Sequence, residues 1–284
     1  MKDITLTTHS KTYKRSVEIV VFLIKLALGL AFILPLIFTI CYSVKPEAEI
    51  TITPPNFFTQ SPTPDHYKWV LFNLPFINYI KNSFIVCIIS ILCQVVFASF
   101  AAYAFAFFEF KGKKVFFAFI LSAMMIPADI VIIMNYALIQ RWNLVNTYLG
   151  LVFPTLISGT SIFMMRQYYL TIPKELKEAS TIDGCGDMRF LFQIAMPLSI
   201  PTIASLGLYL FVIIYNLFLW PLLVTNTESR RTVQIGMSML VTSERIEYGL
   251  LLAGAICCVF PVVLIFIFGQ KHIVKGMVSG AVKG

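Results

Sequence analysis

The chain has 284 residues, 58% of them hydrophobic and 13% charged, with a mean hydropathy of +0.83 and a formal net charge of +8. Soluble domains run nearer half apolar and a quarter charged, so this composition argues against a water-soluble fold, and the length needed to cross lipid leaves no room for a separate enzyme domain. The basic residues lie in short clusters between apolar runs and not on one face, which points to membrane orientation and away from nucleic acid.

In chain order, six apolar runs at 16–43, 80–108, 115–138, 149–165, 198–225 and 248–269 are each long enough to cross a bilayer as a helix, some with tilt. They are apolar on every face, whereas a barrel strand needs about ten residues of alternating polarity. The expected fold is therefore an all-α membrane protein with six transmembrane helices. The first run follows a basic lead, exceeds a signal-peptide core and lacks a small-residue cleavage site, so it is expected to be retained as a span. Six spans put both termini on one side. Fourteen of the 22 lysines and arginines fall on that side, among them Lys111, Lys113, Lys114, Arg166, Lys174, Lys177 and Arg189, and seven on the other, so both termini are expected to be cytoplasmic. Residues 44–76 then form an external loop, rich in proline and expected to be extended or turn-rich, with further external segments near 141–148 and at 226–247.

Ionisable groups inside the runs are scarce. Lys25 in the first run can reach its charge toward the interface. Asp129 follows Pro127 in the third run; it either bonds backbone groups freed by a proline kink or faces a transport pathway, and both readings stand. Asn135, Tyr136, Ser158, Tyr215, Asn216 and Trp220 are candidates for a substrate pathway, because aromatic faces and side-chain amides match the CH surface and hydroxyls of a sugar. Helix packing and the interfacial aromatic belt compete with that reading, most strongly for Trp220.

The six cysteines form no CxxC pair and no zinc spacing; they read as unpaired thiols, and no metal site is expected. A phosphate-cradling G-x-x-x-x-G-K-[ST] loop is also missing: Gly112-Lys113-Lys114 lacks the preceding glycine and the hydroxyl residue. No catalytic residue is assigned, and the energy source is expected in another subunit or an ion gradient.

The segment 167–197 is the least hydrophobic connection on the inner side. Thr171 is expected to cap a helix with Pro173 in its first turn, and 174–182 reads as a short helix of good helix formers. Asp183-Gly184 ends it, and an amphipathic helix at 188–196 follows before Pro197 and Pro201 open the fifth span. Two short helices about a glycine corner, tethered between spans, suit docking on a partner; a solvated linker is the competing account.

Glu178-Ala179-Ser180, Asp183-Gly184-Cys185, Phe190, Ile194 and Pro197 resemble the EAA loop of ABC-importer permeases, E-A-A-x-x-D-G-A followed by an isoleucine and L-P. Ser180 and Cys185 stand where alanine is usual, and Met196 where leucine is. Asn82-Ser83, Ala101-Ala102-Tyr103-Ala104-Phe105, Met125-Ile126-Pro127, Trp220-Pro221-Leu222 and the ending GQKHIVKGMVSGAVKG are similar to the six-span partner subunit of maltose-type carbohydrate permeases. The resemblance implies a five-helix core over 77–269, a peripheral first helix at 16–43 between tail 1–15 and the external loop, and coupling helices within 167–197. It implies that Pro173, Glu178, Ala179, Ser180, Asp183, Gly184, Cys185, Ile194 and Pro197 meet a cytoplasmic ATPase, which holds ATP and magnesium. Its expected partners are a homologous permease, two ATP-binding subunits and an external solute-binding protein, with a sugar or oligosaccharide as substrate. Glycerol 3-phosphate or a glycerophosphodiester is the alternative substrate, and a gradient-driven secondary transporter the alternative of another class. By the same likeness the tail 270–284, which carries His272, reaches the ATPase, and 226–247 faces the binding protein.

Overall fold

The computed structural model describes residues 3–52, 54, 56–59, 61–241 and 247–281, with side chains described except at 3–12, 14, 128 and 268–281. Lys2, Arg245 and Lys283, and the side chain of His272, lie outside the described residues. The regular elements are helical: α1 (Asp3–Ser43), α2 (Glu47–Ile50), α3 (Asp65–Phe72), α4 (Phe76–Phe107), α5 (Lys113–Met124), α6 (Ala128–Arg141), α7 (Tyr148–Val152), α8 (Gly159–Tyr169), α9 (Lys174–Ile182), α10 (Asp187–Phe190), α11 (Met196–Leu198), α12 (Ile200–Tyr215), α13 (Leu219–Val224), α14 (Val233–Ser238) and α15 (Tyr248–Ala281). The chain divides into two compact units, one of Met1–Val70 with Leu240–Cys257, the other of Leu71–Met239 with Cys258–Gly284.

In the first unit, α1 is apolar all round over Arg15–Ser43, a pattern stable only in lipid or against another apolar surface. The loop after it is not wholly extended: α2 and α3 lie within it. The Glu49 carboxylate accepts bonds from Thr59 Oγ1 at 2.6 Å and Ser61 Oγ at 2.8 Å, and these hold its pKa below the usual range. Lys45 is fully buried, its ammonium donating to the Asn56 carbonyl and sitting 3.8 Å from the centre of the Tyr42 ring. Glu47 accepts bonds from the Tyr248 and Gly249 backbone N–H groups, both at 3.0 Å, so its negative charge caps the N-terminus of α15.

The second unit is built around α4. Its 32 residues rise about 48 Å, more than the hydrocarbon core of a bilayer, and α7, α8, α12 and α14 pack on it. The buried face carries small and polar side chains, among them Ser83, Ser90, Gln94, Ala98, Ser99 and Ala102, which let neighbouring backbones approach closely.

The six runs do not make six straight helices. Among the described residues only α1, α4 and α15 are long and apolar enough to cross alone, and three bent pairs complete a set of up to six. The third run turns by 98° between α5 and α6 at Met125–Pro127, where Pro127 leaves the helix with extended backbone. The fourth bends by 53° between α7 with its following 3-10 turn and α8, and the α10–α11 segment meets α12 at 74°. Run five also contains a separate short helix, α13, after α12. Hydropathy measures which segment enters lipid and not whether its backbone continues in one direction, so beyond a kink at Pro127 these breaks were not expected. The C-terminal tail is helical through Ala281.

Gly159 shows why α5 and α8 meet where they do. A Cβ there would lie 2.6 Å from Met124 Cγ and 3.1 Å from the Ile120 carbonyl, so only glycine admits this approach.

Candidate functional site

The segment 167–198 forms an elbow on the C-terminal end of α4. Its first arm, α9, occupies the expected residues 174–182, but Thr171 does not cap it: the Thr171 hydroxyl bonds back to the Tyr168 carbonyl, and Pro173 is the residue before the helix. The corner is a Schellman closure, in which the Gly184 N–H bonds Thr181 O at 3.0 Å and the Cys185 N–H bonds Ser180 O at 2.8 Å. That closure requires the left-handed backbone of Gly184, with φ at +75°. The second arm begins at Asp187, passes through a π-helical turn at Leu191–Ala195 and ends in α11, so the expected amphipathic helix is present but interrupted.

Ring contacts and one charged cluster anchor the elbow: Phe192 packs on Phe100 at 5.7 Å and Tyr169 on Phe107 at 6.3 Å, and the base is completed by Phe190. Phe190 is fully buried, its ring 6.1 Å from Tyr103 and 5.4 Å from Phe107 of α4. Beside it the Lys177 ammonium bonds Asp187 Oδ1 at 2.6 Å, and the Tyr103 hydroxyl donates to the same oxygen at 3.0 Å, joining both arms to α4. Lys177 and then Tyr103 hold the Asp187 carboxyl below the usual carboxylate range. Burial works most strongly against the Lys177 charge, but Asp187 and Tyr103 together outweigh it and hold that pKa up.

The residues singled out in the sequence divide between anchor and tip. Ser180 is buried, its hydroxyl on the Lys177 carbonyl, and Cys185 and Ile194 are half-buried. Pro173, Glu178, Ala179, Asp183, Gly184 and Pro197 are exposed. Apolar side chains share that exposure: Ile182 is 86% and Met188 57% accessible. Sequence reasoning missed Lys177 and Asp187 as a pair; opposite charges flanking the glycine corner were the available signal.

At the other end of α4, Asn82 Nδ2 donates to the carbonyls of Ser229 and Arg231, both at 2.9 Å, and its Oδ1 accepts from Tyr148 at 2.7 Å. Ser83 Oγ accepts from the Val233 N–H at 2.9 Å. Asn146 holds the start of the same segment, its Oδ1 accepting from Thr227 Oγ1 at 2.9 Å. Asn82 and Tyr103 are about 32 Å apart along α4, so the 225–239 segment and the elbow occupy its opposite ends.

Between them runs a polar clamp that the sequence did not suggest. Gln94 Nε2 donates to Thr155 O and Ser161 Oγ donates to Gln94 Oε1, both at 2.6 Å, while Ser90 and Thr155 share a hydroxyl bond of 2.7 Å. Thr155 lies just before the break in the fourth run, and Gln94 satisfies the carbonyl that a continuous helix would have used.

Of the six pathway candidates, Tyr215 and Asn216 line one cavity with Phe211, Val212, Gln234 and Val262. The Tyr215 hydroxyl donates to Cys258 O at 3.0 Å, and Asn216 Oδ1 accepts from Gln234 at 3.2 Å. Trp220 is buried with its indole N–H on Leu151 O at 3.0 Å, the packing role weighed for it above. Asn135 and Tyr136 on α6 and Ser158 before α8 are half-buried and do not line that cavity. Asp129 is exposed in the first turn of α6, and no hydrogen bond of its carboxylate occurs among the described residues. Among those residues no group of three or more His, Cys, Asp or Glu side chains could hold a metal, and no disulfide joins any two of the six cysteines.

The family model for the binding-protein-dependent transport system inner membrane component matches residues 94–279, which include Gln94, the elbow and all but the end of α15. The chain belongs to this family. The permease is 33% identical over 279 residues to the arabinooligosaccharides transport system permease protein AraQ of Halalkalibacterium halodurans, covering 91% of this chain and 96% of that one. It is 36% identical over 200 residues to the sn-glycerol-3-phosphate transport system permease protein UgpE of Agrobacterium fabrum, covering 70% and 71%. A chain of a bacterial ABC transporter involved in the import of alginate shares the fold at a TM-score of 0.79 and 20% identity, over 91% of this permease and 97% of that chain. Family membership makes the permease an inner membrane component of a binding-protein-dependent transporter and displaces the gradient-driven alternative.

Proposed function

We propose that this permease forms half of the membrane channel of an ATP-driven importer, takes a neutral sugar or oligosaccharide from an external solute-binding protein, and is driven through its elbow by a separate ATPase. The observation that carries the reading is the division of the elbow. Phe190 and the Lys177–Asp187–Tyr103 bonds fix its base to α4, while Glu178, Asp183, Ile182 and Met188 stand exposed at its tip. Apolar side chains at the tip of a charged protrusion suit a protein partner, and a base fixed to the central helix passes that partner's movement to the channel. In this reading the termini and elbow are cytoplasmic and the 225–239 segment is external. A second permease and two ATP-binding subunits complete the assembly, and ATP and magnesium are held on those subunits.

The cavity at Tyr215 and Asn216 supports a sugar as the substrate class. Its lining is aromatic, amide and apolar, with no cation, which suits the CH faces and hydroxyls of a sugar. Likeness to a glycerol-3-phosphate permease supports the second reading, an anionic polyol phosphate, which needs compensating positive charge.

Gly184 is the test. A β-branched residue is strained at φ +75°, by about 1–3 kcal/mol, although open space surrounds the position. Gly184→Val is expected to lower ATP-driven uptake by the assembled transporter more than tenfold with membrane insertion unchanged, and Gly184→Asn, which tolerates this backbone, to retain most of it. Normal uptake by Gly184→Val defeats the coupling role. Competition by glycerol 3-phosphate but not by neutral oligosaccharides would shift the substrate to the anionic class.

A further inference from the structure

A cavity apart from the elbow's anchor lies between the N-terminus of α5 and the last turn of α8, lined by Glu109, Lys113, Lys114, Val115, Phe117 and Arg166. Three of those side chains are cations. The one acid is already engaged: Lys113 Nζ lies 3.0 Å from Glu109 Oε1, and that bond holds the Glu109 carboxyl below its usual range, with Lys174 contributing at longer distance. Arg166 stacks on the Phe117 ring at 4.0 Å, and its buried Nε has no acceptor among the described residues. Lys114, exposed in the first turn of α5, has no carboxylate partner among them either. The site therefore keeps a surplus of two positive charges and several donors oriented by a helix start and a stacked guanidinium.

The apolar surroundings decide what kind of anion fits. Val115 at the cavity wall is 59% exposed, and Phe116 and, one turn further along α5, Phe119 are 58% and 69% exposed. An anion carrying hydrocarbon chains satisfies both surfaces at once, whereas a free anion leaves the aromatic track bare. We propose that the cavity binds the phosphodiester headgroup of an anionic phospholipid, with Lys114 and Arg166 on the phosphate oxygens and the acyl chains along Val115, Phe116 and Phe119. Basic pockets between membrane helices near the lipid surface hold such headgroups by charge and hydrogen bonding together.

Native mass spectrometry of the full-length permease, purified alone and with its co-expressed subunits and titrated with dioleoylphosphatidylglycerol or dioleoylphosphatidylcholine, tests this directly. Wild type is expected to retain the anionic lipid at least about fivefold better than the zwitterionic one, the effect of roughly one surface cation. Lys114→Glu and Arg166→Gln should each abolish the preference, and Arg166→Lys should restore part of it. Because Lys114 is exposed, its variant keeps the test valid if Arg166→Gln fails to fold. Equal retention of both lipids, or a preference that survives both charge variants, overturns the proposal. Displacement by inorganic phosphate at matched ionic strength as effective as by the lipid would assign the cavity to a free anion instead. Loss of the lipid on assembly with the other subunits would show that protein covers the site.

Discussion

The two ends of α4 hold their attached segments by opposite means. At the Asn82 end, side-chain amides and a hydroxyl bond directly to the backbone of the 225–239 segment, fixing it at several points. At the Tyr103 end, the rings of Phe190, Phe192 and Tyr169 and one charged cluster grip the base of the elbow, while nothing lies within 4 Å of where a Cβ would stand at its Gly184 corner. A segment stitched along its backbone resists movement in every direction. One gripped at its base moves as a rigid piece whose motion α4 must follow, as a lever requires.

Phe190→Ala should have the largest effect. Truncating a fully buried aromatic ring costs about 3–5 kcal/mol, and this ring packs on Tyr103 and Phe107 of α4 and under the Lys177 ammonium. Limited proteolysis should cut the elbow of this variant while leaving the 225–239 segment intact; equal cleavage at both ends would erase the distinction between them. Asn82→Leu should do the reverse at a smaller cost, about 1–3 kcal/mol for carbonyls left without their donor. A lowered melting temperature with unchanged elbow cleavage is the expected result.

The smallest effect concerns pH. Asp187 has a depressed folded pKa, so its ion pair contributes stability that is complete above the ordinary carboxylate range and fades as pH falls through the folded value. Its side chain is 46% exposed, which limits the contribution to about 1 kcal/mol or less. Elbow cleavage should therefore stay nearly level from neutral pH to about pH 5, rise as pH falls through and below about 4 in wild type, and lack that rise in Asp187→Asn. A parallel rise in both would assign the acid sensitivity to other groups.

Much of this was legible in the residues. Pro173 and Asp183-Gly184 bracket α9 because proline and left-handed glycine are local backbone constraints that act whatever the tertiary context. The Asn82-Ser83 pair was visible as a motif, but its partners lie about 150 residues away, and no local rule connects them. Gln94 passed unnoticed for a different reason: one amide in a long apolar run barely changes hydropathy, and its importance comes from the break opposite it. The right-angle turn at Pro127 was readable only as a kink, because hydrophobic length does not record direction.

The Gln94 clamp bears on how the chain is made. While the ribosome has delivered α4 but not yet Thr155 and Ser161, the glutamine side chain has no mate in hydrocarbon, and the broken fourth span cannot settle before α4 is beside it. The two segments must then leave the insertion machinery together or meet soon afterwards. Synthesis stalled between residues 107 and 155 should leave a nascent chain that is recognised by quality-control proteases and not parked stably in the bilayer.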